Sequence, residues 1–189
     1  MSLLKLAVNS ADHHQGNLNA AITLVEYGDF ECPHCKLAHP LVKRLLEEKG
    51  QSLHFVYRHF PLRKIHPHAH MAAIAAEAAG KQGKFWEMHN LIFENQDQLT
   101  CHYLVLLAEG MGLDLIQFKN DSMSKEIMNK IETDFDSGIH SGVNRTPTFF
   151  LNGHQLLAYD ETYESLKNAF IKEYNLQESK RSATFHLLL

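Results

Sequence analysis

The chain has 189 residues, of which 44% are hydrophobic and 21% charged, with a formal net charge of −4. That length suits one domain with a sizeable core, or a small domain carrying an insertion, and the composition is that of a globular protein rather than a disordered one. The charge balance offers no basic field for nucleic acid or anionic lipid, and no stretch approaches the roughly 18 apolar residues of a membrane span.

Residues 22–27, ITLVEY, form a nearly continuous apolar run, the pattern of a strand buried on both faces, and are predicted as the first strand after about twenty residues. After Gly28-Asp29, the segment from Pro33 to Lys49 is predicted as an amphipathic helix with Leu37, Leu41, Leu45 and Leu46 inward, kinked at Pro40 and closed by Gly50. Residues 53–58, LHFVYR, supply the next strand and complete a β-α-β unit. From Pro61 to Gly142 the pattern is helical: AHMAAIAAEAAG ends at Gly80, KFWEMHNLIFEN turns Phe85, Met88 and Ile92 inward, and Thr100 caps CHYLVLLAEG. Ile127, Ile131 and Phe135 continue the helical period to about Ser141. PTFFLN at 147–152 then leads through the hairpin signal Asn152-Gly153 into QLLAY as a return strand, and Asp160 is positioned to cap a helix through Tyr174 that turns Tyr163, Leu166, Phe170 and Tyr174 inward. The fold class expected is α/β, one sheet interrupted by an all-helical insertion: residues 18–60 and 143–174 form the sheet domain, 61–142 the insertion and 175–189 a tail without a clear signal.

The chemistry concentrates in Cys32-Pro33-His34-Cys35, at the turn where a strand meets a helix and where open α/β sheets place their active groups. Pro33 suits the first helical position, which makes Cys32 the N-cap, facing the backbone N–H groups of His34 and Cys35 and the positive end of the helix dipole. Such placement lowers a thiol pKa into the range of about 3.5–7.5 and favours the reduced state, so the disulfide becomes a better oxidant. His34 adds to this where its ring faces the sulfur. Cys32 is expected to be exposed, Cys35 to be buried with a higher pKa as the resolving thiol, and the Glu31 carboxylate to point to solvent. The CxxC spacing is shared with zinc sites, whose two further ligands would come from His66, His68 and His70, with His66 and His70 one helical turn apart. A permanent structural disulfide is a third option, although so small a ring removes little loop entropy. The third cysteine, Cys101, reads as a small buried hydrophobe.

VEYGDFECPHC, then HPHAHMAAIAAEAAGKQGKFWEMHNLIF, then SGVNRTPTFFLNG, resemble the DsbA-like branch of the thioredoxin superfamily, including the thioredoxin-type domains fused to sodium/proton antiporters, over residues 18–174. The resemblance implies a thioredoxin fold with a helical insertion. It implies that Cys32 is the nucleophile forming a mixed disulfide and Cys35 the thiol that resolves it, that Pro147 is a cis-proline opposite the CxxC, that the Thr146 backbone pairs with an extended substrate, and that Glu26 is a buried acid able to accept the Cys35 proton. Thr146 stands where DsbA proper has Val, and the HPHAH segment is closer to the antiporter-fused and cytosolic relatives.

The function expected is thiol–disulfide exchange with protein thiols, as a monomeric oxidase that needs no metal or other cofactor. The alternatives are a cytosolic disulfide reductase, a zinc- or peptide-binding module using the CxxC, and a glutathione-linked enzyme of the same fold, which would usually carry Ser in place of Cys32. As given, the chain reads as cytoplasmic, because MSLLKLAVNSADHH has an apolar run too short for a signal-peptide core, or as periplasmic if a leader was removed. A quinone-linked membrane oxidase would recharge the cysteines in the periplasm, and glutathione or a thioredoxin system in the cytosol. Nucleic acid is not an expected partner.

Overall fold

A computed structural model of the chain describes residues 2–186, and side-chain surroundings for residues 2–182. Five strands form one sheet in the order β1-β3-β2-β4-β5. β2 (Ile22–Gly28) and β3 (Leu53–His59) are parallel, as the helix α1 (Pro33–Lys49) between them requires. β1 (His13–Gly16) pairs antiparallel with the outer side of β3, and β4 (Thr148–Leu151) antiparallel with β2. Between β3 and β4 the chain forms α2 (Ala69–Gly80), α3 (Phe85–Glu94), a 3-10 turn at Gln96–Gln98, α4 (Cys101–Gly110), α5 (Leu115–Ser122) and α6 (Lys125–His140). After β5 (His154–Gln155), α7 (Tyr163–His186) ends the described chain.

Alternation along β2 divides the core. Ile22 and Leu24 face the larger cluster with α1, α2, α3 and α7, while Val25 and Tyr27 face a smaller one with Val56, Phe60 and Phe150, covered by Phe135 of α6 and by Leu4 and Val8. Glu26 therefore points the same way as Leu24, into the larger cluster. The N-terminal segment is fastened across the sheet by Arg58, wholly buried. Its guanidinium forms a bidentate pair with Asp12 at 2.8 and 2.9 Å and donates to the carbonyls of Leu6 and Ala7 and to the Tyr27 hydroxyl, which occupies all five N–H groups.

Several elements differ from the sequence reading. β1 is a strand that the sequence does not announce: its polar residues HHQG lie at a sheet edge, so no apolar alternation marks them. α1 buries Cys35, Ala38, Val42 and Leu45, and Leu37 is 55% exposed. The small residues Cys35 and Ala38 allow close approach to the sheet, which rotates the inner face one residue away from the leucine stripe. Pro40 lies inside the helix as expected, but Gly50 keeps a right-handed helical conformation and provides no left-handed stop. α5 was not predicted; its N-cap, Asp114, accepts from the N–H groups of Ile116 and Gln117. The return strand is only His154–Gln155, because the chain turns away after Leu156 donates to the Phe149 carbonyl, leaving Leu157 60% exposed. The hairpin itself has positive φ at both Asn152 and Gly153, the requirement of its tight turn. Asp160 does not cap α7 directly. It holds Thr162, whose hydroxyl accepts from the Ser165 N–H, and the helix runs past Tyr174 through the expected tail to His186. Among the described residues no helix is long and apolar enough to cross a membrane.

Candidate active site

β2 ends at Gly28, and the turn Asp29-Phe30-Glu31 delivers Cys32 to the start of α1, with the Cys32 N–H donating to the Asp29 carbonyl. Cys32 is the N-cap in extended conformation and Pro33 the first helical residue, where its missing N–H has no cost. The Cys32 sulfur lies 3.3 Å from the carbonyl oxygen of Thr146, and the Thr146–Pro147 peptide is cis. Both cysteines are free thiols. The Cys32 pKa is lowered to about 5. The strongest cause is the Cys35 thiol donating to the Cys32 sulfur, which outweighs burial; Thr146 and the backbone N–H groups of Cys35 and His34 add further donors. The Thr146 hydroxyl has no hydrogen-bond partner while Cys32 is a thiol, so it is available to the anion. Cys32 is only 3% exposed rather than openly accessible, because the loop carrying Thr146 covers it.

Cys35, one turn into α1, is completely buried, and burial, followed by its bond to Cys32 and the charges of Glu26 and Cys32, pushes its thiol well above the ordinary value. Glu26 lies below on β2, 3% exposed, and burial together with the Cys32 charge raises its carboxyl to about 8. A cavity of about 320 Å³ reaches Glu26 between α1 and α3, lined also by His39, His89 and Phe93. Burial, reinforced by Lys43, lowers His39 to about 4, so its ring is neutral there.

The neighbouring charges are directed away from the sulfur. The His34 ring, half-exposed, pairs with Glu161 at 2.8 Å instead of facing Cys32, so His34 acts on the sulfur through its backbone N–H. Glu31 does not point to open solvent: its carboxylate accepts from the His68 N–H and contacts the His68 ring at the entry to α2, which removes its charge from the thiolate. Asp29, fully buried, accepts from the N–H groups of Glu31 and Leu62 and contacts the His66 ring at 2.8 Å. Gln96 donates to the carbonyls of Phe30 and Cys32 at 2.9 Å each, fixing the turn from the far side. Neither Asp29 nor Gln96 is distinguishable in the sequence, since an acid after a strand and a glutamine in a polar turn carry no periodic signal.

The proposed zinc ligands do not converge with the thiols. α2 begins at Ala69, so His66 and His68 precede the helix and are used by Asp29 and Glu31. Cys101 is exposed rather than buried, because α4 turns Leu104 and Ala108 inward from its first turn onward. Beside Pro147, a groove of about 410 Å³ runs along His34, Thr146, Phe149, Leu156, Tyr159 and Glu161. The site thus joins one thiol at the helix N-terminus, beneath the Thr146 loop, with a favoured anion, a second thiol buried one turn further in, and a buried acid beneath them, the asymmetry that thiol–disulfide exchange requires.

A family model described as thioredoxin matches residues 8–173. A sodium/proton antiporter of Salinispora tropica, NhaA 3, is 46% identical over 144 residues, covering 76% of this chain and 22% of its own length. The chain therefore spans about a fifth of the length of the curated relatives it matches. Among solved structures, a thioredoxin-like oxidoreductase of Silicibacter pomeroyi is 26% identical with a TM-score of 0.72, over 78% of this chain and 83% of that one. BdbD of Bacillus subtilis, in its oxidised form, has the same fold, with 22% identity, a TM-score of 0.79 and coverage of 92% and 98%.

Proposed function

The chain belongs to the thioredoxin family, and on that premise we propose that it is a DsbA-like thiol–disulfide oxidoreductase that donates a Cys32–Cys35 disulfide to protein thiols. The observation that carries this reading is the asymmetry of the two thiols at one helix start, Cys32 at the N-cap with its sulfur 3.3 Å from the Thr146 carbonyl and Cys35 wholly buried one turn in, which lowers the Cys32 pKa and raises that of Cys35. In the oxidised protein a substrate thiolate attacks the Cys32 sulfur and forms a mixed disulfide, and the sulfur of Cys35 leaves with the bonding electron pair. Glu26, protonated below about 8, supplies a proton to that buried anion. A second substrate thiolate then attacks the substrate sulfur of the mixed disulfide and expels Cys32 as its stabilised thiolate, leaving the substrate oxidised by two electrons and the protein reduced. Low thiol pKa makes Cys32 the better leaving group, which favours release of the oxidised substrate.

The backbone of Thr146 and the groove beside Pro147 take the extended substrate chain in a strand-like pairing, with His34, next in the chain to Pro33, on the lining of that groove. Reduction of substrates uses the same atoms in reverse, and the potential of the cysteine pair decides between them. The recharging partner is a quinone-linked membrane oxidase for a periplasmic protein, or glutathione or a thioredoxin system for a cytosolic one. Cys32→Ser is expected to abolish disulfide transfer to a reduced model protein, and Cys35→Ser to accumulate mixed disulfides trapped on Cys32. A fully active Cys32→Ser protein would overturn the proposal.

A further inference from the structure

Away from the cysteines, three residues that the thiol chemistry does not use converge from three elements. His13 opens β1, His59 ends β3 and Glu77 lies in α2. The Nε2 atoms of His13 and His59 lie 2.7 and 2.8 Å from the same Glu77 oxygen, and the three candidate ligand atoms all fall within 4.8 Å of one another. The two imidazole planes are 76° apart, so their nitrogens approach that oxygen from different directions rather than side by side.

We propose that His13, His59 and Glu77 form a binding site for a divalent cation of the zinc class, with a fourth coordination position open to solvent.

Two imidazoles and one carboxylate are a donor set suited to zinc and its borderline neighbours, and three protein ligands leave room for water. Ligands about 2.0–2.1 Å from a zinc ion in tetrahedral geometry lie about 3.3–3.4 Å apart, so inserting the ion needs the present pairs to open by about half an ångström. His13 can make that movement, since its side chain retains 18% exposure at the sheet edge. A cleft of about 440 Å³ opens over His13 and Glu77, giving the cation an entry path and a place for water.

Glu77 is bonded by imidazoles and not by a lysine or arginine. The lysines at the cleft are engaged elsewhere, Lys81 with Glu126 and Lys130 with Asp134. Bound there, the ion would tie the N-terminal edge strand to β3 and α2, and it would stabilise the folded chain by mass action.

Cobalt(II) titration of the tag-free chain tests the site, using Cys101→Ser protein with Cys32 and Cys35 oxidised to their disulfide, so that no thiolate competes. The expected result is one cobalt per chain, seen by its visible absorption without a thiolate charge-transfer band, displaced by zinc. In His13→Ala, an edge position whose folding is checked by circular dichroism, affinity is expected to fall by more than about tenfold, and the zinc-induced rise in Tm to disappear. No cobalt binding, or binding that His13→Ala leaves unchanged, would overturn the proposal.

Discussion

The sulfur of Cys32 and the carbonyl oxygen of Thr146 are 3.3 Å apart although 114 positions separate them in the chain. The contact places a helix N-terminus against the loop before β4, so the same loop can cover the thiol, donate to its anion and border the groove. The Thr146 hydroxyl is the separable part of this relationship. Thr146→Val removes a donor to the thiolate while retaining the shape and the backbone, and is expected to raise the Cys32 pKa above about 5 by up to about one unit, or about 1.4 kcal/mol. Titration of the thiolate ultraviolet absorbance in the reduced protein checks it. An unchanged curve would show that the hydroxyl does not reach the anion.

Glu26 makes stability depend on pH in a specific direction. The folded protein holds its proton up to about 8, whereas the unfolded chain releases it near 4.5. Below the lower value both states are protonated and the residue has no effect. As pH rises between the two, the unfolded state gains by ionising and folding is weakened, up to a limit above the folded value. Glu26→Gln is therefore expected to stabilise the reduced protein at pH 9 by on the order of a few kcal/mol and to change little at pH 4. Urea melts at the two pH values check this, and an equal effect at both would contradict the assignment.

The ion pair of His34 with Glu161 competes with the thiolate for the imidazole. Glu161→Gln frees the ring to turn toward the sulfur, which is expected to lower the Cys32 pKa further and make the disulfide more oxidising. Because both partners are half-exposed, screening limits the change to less than about one pKa unit. Thiolate titrations of the variant and the parent, compared at low and high salt, read it directly; a rise in pKa would contradict the arrangement.

Asp12 and Arg58 form a buried, bidentate pair that no active-site residue touches. Removing one partner leaves a buried charge without compensation, so Asp12→Ala is expected to cost about 3–5 kcal/mol. The pair also contributes acid sensitivity: despite opposing burial, Arg58 and the Asn9 N–H hold the Asp12 carboxyl below 3.8, so its contribution is present above that value and is lost as pH falls through the lower folded pKa. Thermal melts measure the loss, and a change below about 1 kcal/mol would contradict the role.

What the sequence disclosed was what periodicity and local capping record. The two central strands, the helix ends at Gly80 and Gly110, the Thr100 cap and the placement of Cys32 and Pro33 follow from near-neighbour rules that long-range contacts did not alter. The remainder depends on partners far away in the chain. β1 and β5 are edge strands whose pairing, not composition, defines them. The inner face of α1 is chosen by how closely Cys35 and Ala38 approach the sheet, which the larger leucines conceal. His34 and His66 each had a plausible role at the thiol or at a metal, and Glu31 was expected in solvent, yet each is taken by a partner at least 37 positions away, Glu161, Asp29 and His68 respectively. A polar side chain in a loop shows its chemistry in the sequence but not its partner.

The reduction potential of the Cys32–Cys35 pair tests the central claim most directly. Equilibrating the protein with glutathione buffers and counting alkylated thiols by mass gives its value. Stabilisation of the Cys32 thiolate by Cys35, Thr146 and the helix N-terminus calls for a potential toward the roughly −120 mV of a strong disulfide donor. A value near the roughly −270 mV of a reductant would contradict it.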